Sequence, residues 1–136
     1  KIKEITESIV KLVPTLIDKK IDDDESIINE IANYALDKKI TLIVKGKTDF
    51  ISDGEQTFLN KSGNASMTKG GTGDILSGII ASQVAIGNTT LNASLIGTYI
   101  MGKAGEIVFE KWGFQYMASE FLTELALYLK QFNKIV

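Results

Sequence analysis

The glycine-rich segment from Gly63 to Gly78 constrains this chain more than any other feature. It reads GNASMTKGGTGDILSG and then continues as an apolar helix. Glycines let backbone N–H groups converge on an anion without an intervening Cβ, and the start of a helix adds partial positive charge. Asp74 follows the glycines, in a place where its carboxylate can accept the proton of a hydroxyl that attacks a phosphoryl group. The segment therefore predicts phosphoryl-transfer chemistry.

A purely structural explanation competes with this prediction. Aspartate is a common helix cap, and a glycine-rich turn often only reverses the chain. A neutral turn, however, has little use for the polar residues that this segment also carries: Asn64, Ser66, Thr68, Lys69 and Thr72. The spacing fits neither a Walker A loop nor a dinucleotide-binding G-x-G-x-x-G. We therefore favour an anion-binding loop of another kind.

Composition excludes several classes of function. A length of 136 residues with 44% hydrophobic content predicts one domain with a proper core. A net charge of −2 provides no basic surface for nucleic acid, and the absence of cysteine and histidine excludes disulfides, thiolate metal sites and histidine-based triads. No apolar run approaches the roughly 18 residues of a membrane span, and we see no signal peptide. These observations predict a cytoplasmic protein with no membrane or nucleic-acid partner.

Charge and glycine are distributed unevenly along the chain. Half of the charged residues lie in the first 39 positions, whereas all twelve glycines lie between Gly46 and Gly113. Pro14 interrupts any long helix near the start. The run Asp22–Asp24 predicts the beginning of a helix from Glu25 to about Leu36, with isoleucines and Ala35 on one face.

The middle of the chain predicts strands, and the rest predicts helices. Residues 40–45 form an apolar, β-branched run typical of a buried strand, and Asp53-Gly54-Glu55 predicts a hairpin turn between two further strands. Helices are expected at about 73–86, 90–112 and 119–132. The first is apolar nearly all round and is expected to be buried. The second carries a stripe of small residues, which we interpret as a packing surface.

This order of elements is α/β but short of strands. A strand that is apolar on both faces, as at 40–45, needs neighbours on both sides, and the βαβ units that usually supply them are missing. The chain therefore resembles the C-terminal part of a larger α/β domain. Because an open edge of such a strand invites pairing, we expect a homo-oligomer or a complementary N-terminal chain to cover it.

Three stretches carry a family resemblance: Lys45 to Asp49 (KGKTD), Ile51 to Gly54 (ISDG) and the segment Gly63 to Gly78. Together they resemble the ADP- or ATP-dependent NAD(P)H-hydrate dehydratases of the ribokinase-like superfamily. Two supporting matches are Gly97 to Gly105 and Met117 to Leu122. The resemblance covers about residues 40–132 and implies a three-layer α/β/α fold.

The sequence departs from the family pattern at two places. Ala65-Ser66 stands where the family usually has Pro-Gly, and Met101 stands where a histidine is usual. The resemblance implies a single, partial domain over 1–136. Within it, 1–39 is a variable charged helical region and 40–136 is the nucleotide-binding and catalytic half.

The resemblance also implies roles for individual residues. Asp74 matches the residue that faces the hydrated nicotinamide and acts as base. Nucleotide contacts are implied for Lys45, Gly46, Lys47, Thr48, Asp49 and Gly73. The anion loop consists of Gly70, Gly71 and Thr72, whose backbone N–H groups are placed to hold the transferring phosphoryl group. No residue is predicted to ligate a metal directly.

The implied activity is that of a lyase that repairs a damaged cofactor. The hydroxyl of hydrated NADH or NADPH is phosphorylated, and elimination of phosphate restores the dihydropyridine. Asp74 takes the hydroxyl proton, and Mg²⁺ neutralises the phosphates of ADP or ATP. ADP is favoured by resemblance to prokaryotic members, because the sequence itself does not discriminate between the donors.

Two other functions stay open. The first is a related ribokinase-like kinase for a sugar or a small heterocyclic alcohol. The combination of Gly70 with Gly71-Thr72-Gly73-Asp74 favours the dehydratase, since sugar kinases tend to show Gly-Ala-Gly-Asp. The second is a non-catalytic nucleotide-binding fragment, favoured by the missing first half of the family's domain.

Overall fold

The structure, a computed structural model, describes residues 24–132. Its helices are α1 (Asp24–Lys38), α2 (Thr72–Ala85), α3 (Thr90–Trp112) and α4 (Ala118–Lys130). Its strands are β1 (Leu42–Val44), β2 (Asp49–Ser52) and β3 (Thr57–Asn60), and a 3₁₀ turn spans Ala65–Met67. The predicted helices and strands are confirmed, with β1 shorter than expected. Pro14, Asp22 and Asp23 lie outside the described residues.

The strands form an antiparallel sheet in the order β1-β2-β3. The turn from β2 to β3 is held by Asp53, whose Oδ1 accepts the N–H groups of Glu55 at 3.0 Å and Gln56 at 2.9 Å. Gly54 has φ +96°, and a Cβ there would lie 2.6 Å from the backbone of Leu36. The predicted hairpin is confirmed, and its glycine is required by both conformation and space.

Helices cover both faces of the sheet. On one face, Leu42 and Phe50 pack against Ile31 and Ala35 of α1. On the other face, Ile43 and Ile51 belong to the main core, together with buried residues of α2, α3 and α4. The alternation of strand side chains between two apolar layers gives the predicted α/β/α arrangement. Within residues 24–132, β1 pairs with β2 only, so its other edge carries no strand.

Helix α2 is less buried than its composition predicts. Only Thr72, Leu76 and Ile80 are fully buried, whereas Ile86 just beyond its end is 75% exposed. The physical reason is that α2 has one principal neighbour among the described elements, α3. A Cβ at Gly97 of α3 would lie 2.7 Å from Ile80, so the small-residue stripe is confirmed as a packing surface. No helix between residues 24 and 132 is long and apolar enough to cross a membrane.

Candidate functional site

A cavity of about 940 Å³ lies where the turn after β1 meets the segment that joins β3 to α2. The turn contributes Lys45, Gly46, Lys47 and Asp49, and the joining segment contributes most of 61–72. The floor is completed by Leu76 of α2 and by three residues of α3, namely Thr98, Met101 and Gly102. Residues from two stretches that carry the family resemblance, Lys45 to Asp49 and Gly63 to Gly78, therefore line one cavity.

Not every predicted site residue lines this cavity. Gly70 and Thr72 do, but Thr48, Gly71, Gly73 and Asp74 do not. Asp74 is the third residue of α2 and is exposed. Its carboxylate has no hydrogen bond or ion pair within the described part of the chain. The helix cap is Gly71, so the competing interpretation of Asp74 as a cap is wrong.

The glycines before Asp74 serve different purposes. Gly71 has φ +92°, a left-handed conformation that favours glycine. Gly70 and Gly73 do not have positive φ, and a Cβ on either would meet nothing within 4 Å. Neither packing nor a positive φ requires glycine at these two positions, and the space in front of each is open.

Unpaired backbone donors accompany this open space. Among residues 24–132, no acceptor is bonded to the backbone N–H groups of Gly70, Gly71, Gly73 and Asp74. The first N–H groups of a helix lack partners within the helix and bear partial positive charge. The loop can therefore bind an anion through its backbone.

The polar side chains of the same segment are turned inward. Asn64 Nδ2 donates to Gly105 O at 3.1 Å, and Thr72 Oγ1 donates to Lys69 O at 2.9 Å. Lys69 Nζ donates to Phe114 O at 2.8 Å. Ser66 Oγ is bonded to Asn64 and lies 3.1 Å from the Tyr116 hydroxyl. These groups hold the loop in place, which accounts for their polarity without a ligand.

Asp49 has a comparable structural task in the turn after β1. Its Oδ1 accepts the N–H of Gly46 at 3.1 Å, and its Oδ2 accepts Asn60 Nδ2 at 3.3 Å. Burial raises the pKa of Asp49 above its ordinary value of 3.8, although these two hydrogen bonds and nearby Lys45 oppose the rise. Asp49 thus shapes the turn from which Lys45 and Lys47 extend.

The cavity is positively charged at its rim. It is lined by four lysines and one aspartate, and Lys45, Lys47 and Lys61 form no ion pair among the described residues. Lys61, Thr98 and Met101 also line the cavity, although the sequence did not predict them as site residues. The available signal for Lys61 was its place directly after β3, at the start of the anion-loop segment.

Comparison with known proteins gives the family. The sequence profile of the NAD(P)H-hydrate dehydratases matches residues 7–126. The chain is 38% identical over 113 residues to an ADP-dependent (S)-NAD(P)H-hydrate dehydratase of Cenarchaeum symbiosum, covering 83% of this chain and 39% of that protein.

Solved structures agree on the fold. An ADP/ATP-dependent NAD(P)H-hydrate dehydratase of Bacillus subtilis, co-crystallised with ATP/Mg²⁺, superposes with a TM-score of 0.72 at 24% identity. That match covers 81% of this chain and 42% of the other chain. A hydroxyethylthiazole kinase of Pyrococcus horikoshii gives a TM-score of 0.67 at 27% identity, with 82% and 42% of the two chains covered. The fold is that of part of a ribokinase-like domain.

The chain spans about two fifths of the length of these relatives. The profile match nevertheless covers most of its own residues and extends upstream of the stretches that carry the motifs. On this ground the chain belongs to the NAD(P)H-hydrate dehydratase family.

Proposed function

We propose that residues 40–136 of this chain are the nucleotide-binding and catalytic half of an enzyme that dehydrates hydrated NADH or NADPH. Residues 1–39 are proposed as the variable region before it, of which residues 1–23 lie outside the described structure. ADP is the first donor to test, because the Cenarchaeum relative is ADP-dependent. ATP is the second, because the Bacillus relative uses either nucleotide.

One observation carries this proposal more than the others. Four residues of the turn at 45–49, two of them lysines, line the same cavity as Gly70 and Thr72 of the anion loop. Exposed lysines without ion pairs favour a polyphosphate, and the unpaired N–H groups of the loop favour a phosphoryl group next to Asp74. The apolar floor formed by Leu76 and Met101 suits a heterocyclic base.

Asp74 accounts for the proton in this reaction. The substrate hydroxyl attacks the terminal phosphoryl group, forming one O–P bond and breaking the bond to the departing nucleotide. Asp74, exposed and unpaired in the described structure, takes the hydroxyl proton. The C–O bond then breaks with loss of phosphate, and a ring proton leaves to water, which restores the dihydropyridine.

Mg²⁺ fits this site as an ion bound mainly by phosphate oxygens. Among residues 24–132, no group of three or more carboxylate, histidine or cysteine side chains is placed to hold a metal. Mg²⁺ commonly binds through substrate phosphates with one or two carboxylates. When bound, it would neutralise phosphate charge, and the described cavity lining itself offers one carboxylate, that of Asp49.

The test is a matched assay on the protein that carries this chain. Hydrated NADPH is supplied with ADP, with ATP or with no nucleotide, and the absorbance of the restored dihydropyridine is followed. Restoration that requires one of the nucleotides is expected. Nucleotide binding without restoration would support a non-catalytic fragment instead.

A small-molecule kinase is the second candidate, because the structural match to the Pyrococcus hydroxyethylthiazole kinase is nearly as good. The discriminating readout is the fate of the phosphate. A kinase leaves a stable phosphorylated alcohol, whereas the dehydratase releases inorganic phosphate in equal amount to the restored cofactor.

The uncovered edge of β1 supports a further element of the proposal. Leu42 and Ile43 are almost fully buried although β1 has no neighbour on one side within the described residues. We expect a second copy, or a complementary N-terminal chain, to bury at least about 1,000 Å² there. Sedimentation of the 136-residue chain checks this, and a stable monomer at micromolar concentration with a full cooperative unfolding transition would contradict it.

A further inference from the structure

The wall of the cavity formed by Gly63 and Asn64 is held by one face of α3. Gly102, Gly105 and Glu106 lie three and four residues apart, a spacing that puts them side by side on a helix. A Cβ on Gly102 would lie 1.9 Å from Ser62 Oγ, and one on Gly105 would lie 2.2 Å from Met67 Sδ. The two glycines therefore let the segment at 62–67 lie directly against the helix.

Polar contacts fix the segment on that surface. Glu106 Oε1 accepts the N–H of Gly63 at 3.0 Å, across 43 residues of sequence. Glu106 Oε2 accepts Lys103 Nζ at 2.9 Å, which orients the carboxylate. Gly63 itself has φ +97°, so the chain reverses there and presents its N–H to the helix. Asn64 adds a bond to Gly105 O.

We infer that Glu106 is a positioning residue, which holds the Gly63–Asn64 wall of the cavity in its nucleotide-binding position. The inference rests on the proposed nucleotide site. Glu106 does not line the cavity and acts through Gly63, which does. A hydrogen bond to a charged group is stronger than a neutral one, so its loss loosens the wall without removing any group that touches the nucleotide.

The test compares two substitutions at this half-buried position. Glu106→Met keeps the length and helix propensity of the side chain but removes the acceptor for Gly63. Glu106→Gln keeps an amide oxygen that can accept the same N–H. The matched control is Asp53→Ala, which removes a carboxylate bonded to two backbone N–H groups in the hairpin, away from the cavity.

Two measurements are made on the protein that carries this chain. Glu106→Met is expected to speed hydrogen exchange at the Gly63 amide by about 10-fold and to weaken ADP or ATP binding, measured by calorimetry, by a similar factor. Glu106→Gln is expected to restore both to within about 3-fold of the wild type. Asp53→Ala is expected to leave nucleotide affinity unchanged.

The outcomes separate this inference from the proposed function. Unchanged hydrogen exchange at the Gly63 amide in Glu106→Met would show that Glu106 does not hold the wall. Faster exchange with unchanged nucleotide affinity would show that the wall does not affect nucleotide binding. Failure of Glu106→Gln to restore either value would also count against the inference. If the wild type binds no nucleotide, the proposed function fails together with the positioning role, while the exchange result still decides whether Glu106 holds the wall.

Discussion

The turn at 45–49 and the segment at 61–72 line the same cavity, but they are built in opposite ways. In the turn, the backbone is shaped by Asp49 alone, and Lys45 and Lys47 extend without ion pairs in the described structure. In the segment, the side chains of Asn64, Ser66 and Lys69 are bonded to distant parts of the protein. The first region offers charge, and the second offers a fixed arrangement of backbone donors.

This difference suggests separate roles for the two regions in the proposed binding of a nucleotide. Long lysine side chains can adjust to a polyphosphate, and ordering them when it binds costs rotamer entropy. Backbone donors are useful only when they are held in advance, since preorganisation is the source of electrostatic stabilisation in a transition state.

The largest effect is expected for Asp74→Asn, which acts beside the fixed loop. It preserves side-chain shape but removes the base, so turnover in the proposed reaction should fall by at least ~10²-fold while nucleotide affinity is retained. Steady-state rates and calorimetry check the two parts. Asp53→Asn, in the distant hairpin, is the control. Equal turnover in Asp74→Asn would leave the mechanism without its base.

Gly102→Ala should unsettle the fixed segment as a whole. The new Cβ would lie 1.9 Å from Ser62 Oγ and 2.7 Å from the Ser62 backbone, so the segment must move. We expect a loss of about 1–3 kcal/mol in the free energy of unfolding, as for other overpacked sites. Denaturant unfolding measures it, with Gly70→Ala as control because a Cβ there meets nothing within 4 Å. Equal stability of the two variants would show that the segment is not held tightly.

Gly73→Val tests the open space in front of the loop. Gly73 has no positive φ, so a side chain there adds no left-handed backbone strain, and the Cβ meets no protein atom within 4 Å. We still expect ADP affinity to fall by about 10-fold, because the side chain fills the space through which a phosphate approaches. Gly78→Val on the same helix is a matched control with equally open surroundings. Unchanged affinity would mean that this loop is not the phosphate site.

Lys47→Met tests the charge of the turn at 45–49 and should have a smaller effect. An exposed charge pair contributes about 0.2–1 kcal/mol, which corresponds to a loss of up to about 5-fold in nucleotide affinity. The loss should shrink as salt is added, because exposed charges are screened. Lys130→Met, on α4 outside the cavity, serves as control. A loss that is independent of salt would argue against a simple charge contribution.

Lowering the pH should change the contributions of Asp49 and Glu106 to stability in opposite directions. This is the smallest of the expected effects. Burial raises the pKa of Asp49 above 3.8, so the folded protein disfavours the ionised carboxylate. The contribution of Asp49 to stability therefore improves as the pH falls through its folded pKa. Hydrogen bonds from Lys103 and from the Gly63 N–H lower the pKa of Glu106 below 4.5, so its contribution is present above that value and is lost as pH falls through the folded pKa.

Unfolding measured across the acid range in Asp49→Asn and Glu106→Gln checks these signs. Relative to the wild type, the Asp49 variant should lose the component that improves on acidification, and the Glu106 variant should lose the component that declines. The same sign in both variants would contradict the contrast.

Local sequence patterns predict the helices, the strands and the hairpin. The helix bounds follow from apolar periodicity, and the turn at Asp53-Gly54 follows from local hydrogen bonds and a positive φ. The glycine-rich loop before α2 was also predictable, because glycines followed by an apolar helix form a local pattern, while its binding of an anion stays a prediction. All of these features depend on residues a few positions apart.

Which polar groups of the loop remain without a partner depends on contacts between distant parts of the chain. Asn64, Lys69 and Ser66 find their partners 41, 45 and 50 residues away, on α3 and just after it. The tertiary structure also exposed one side of α2, whose apolar composition had predicted full burial. Both outcomes depend on which surfaces meet in space, and that is set by the packing of whole helices rather than by the residues next to each other in the chain.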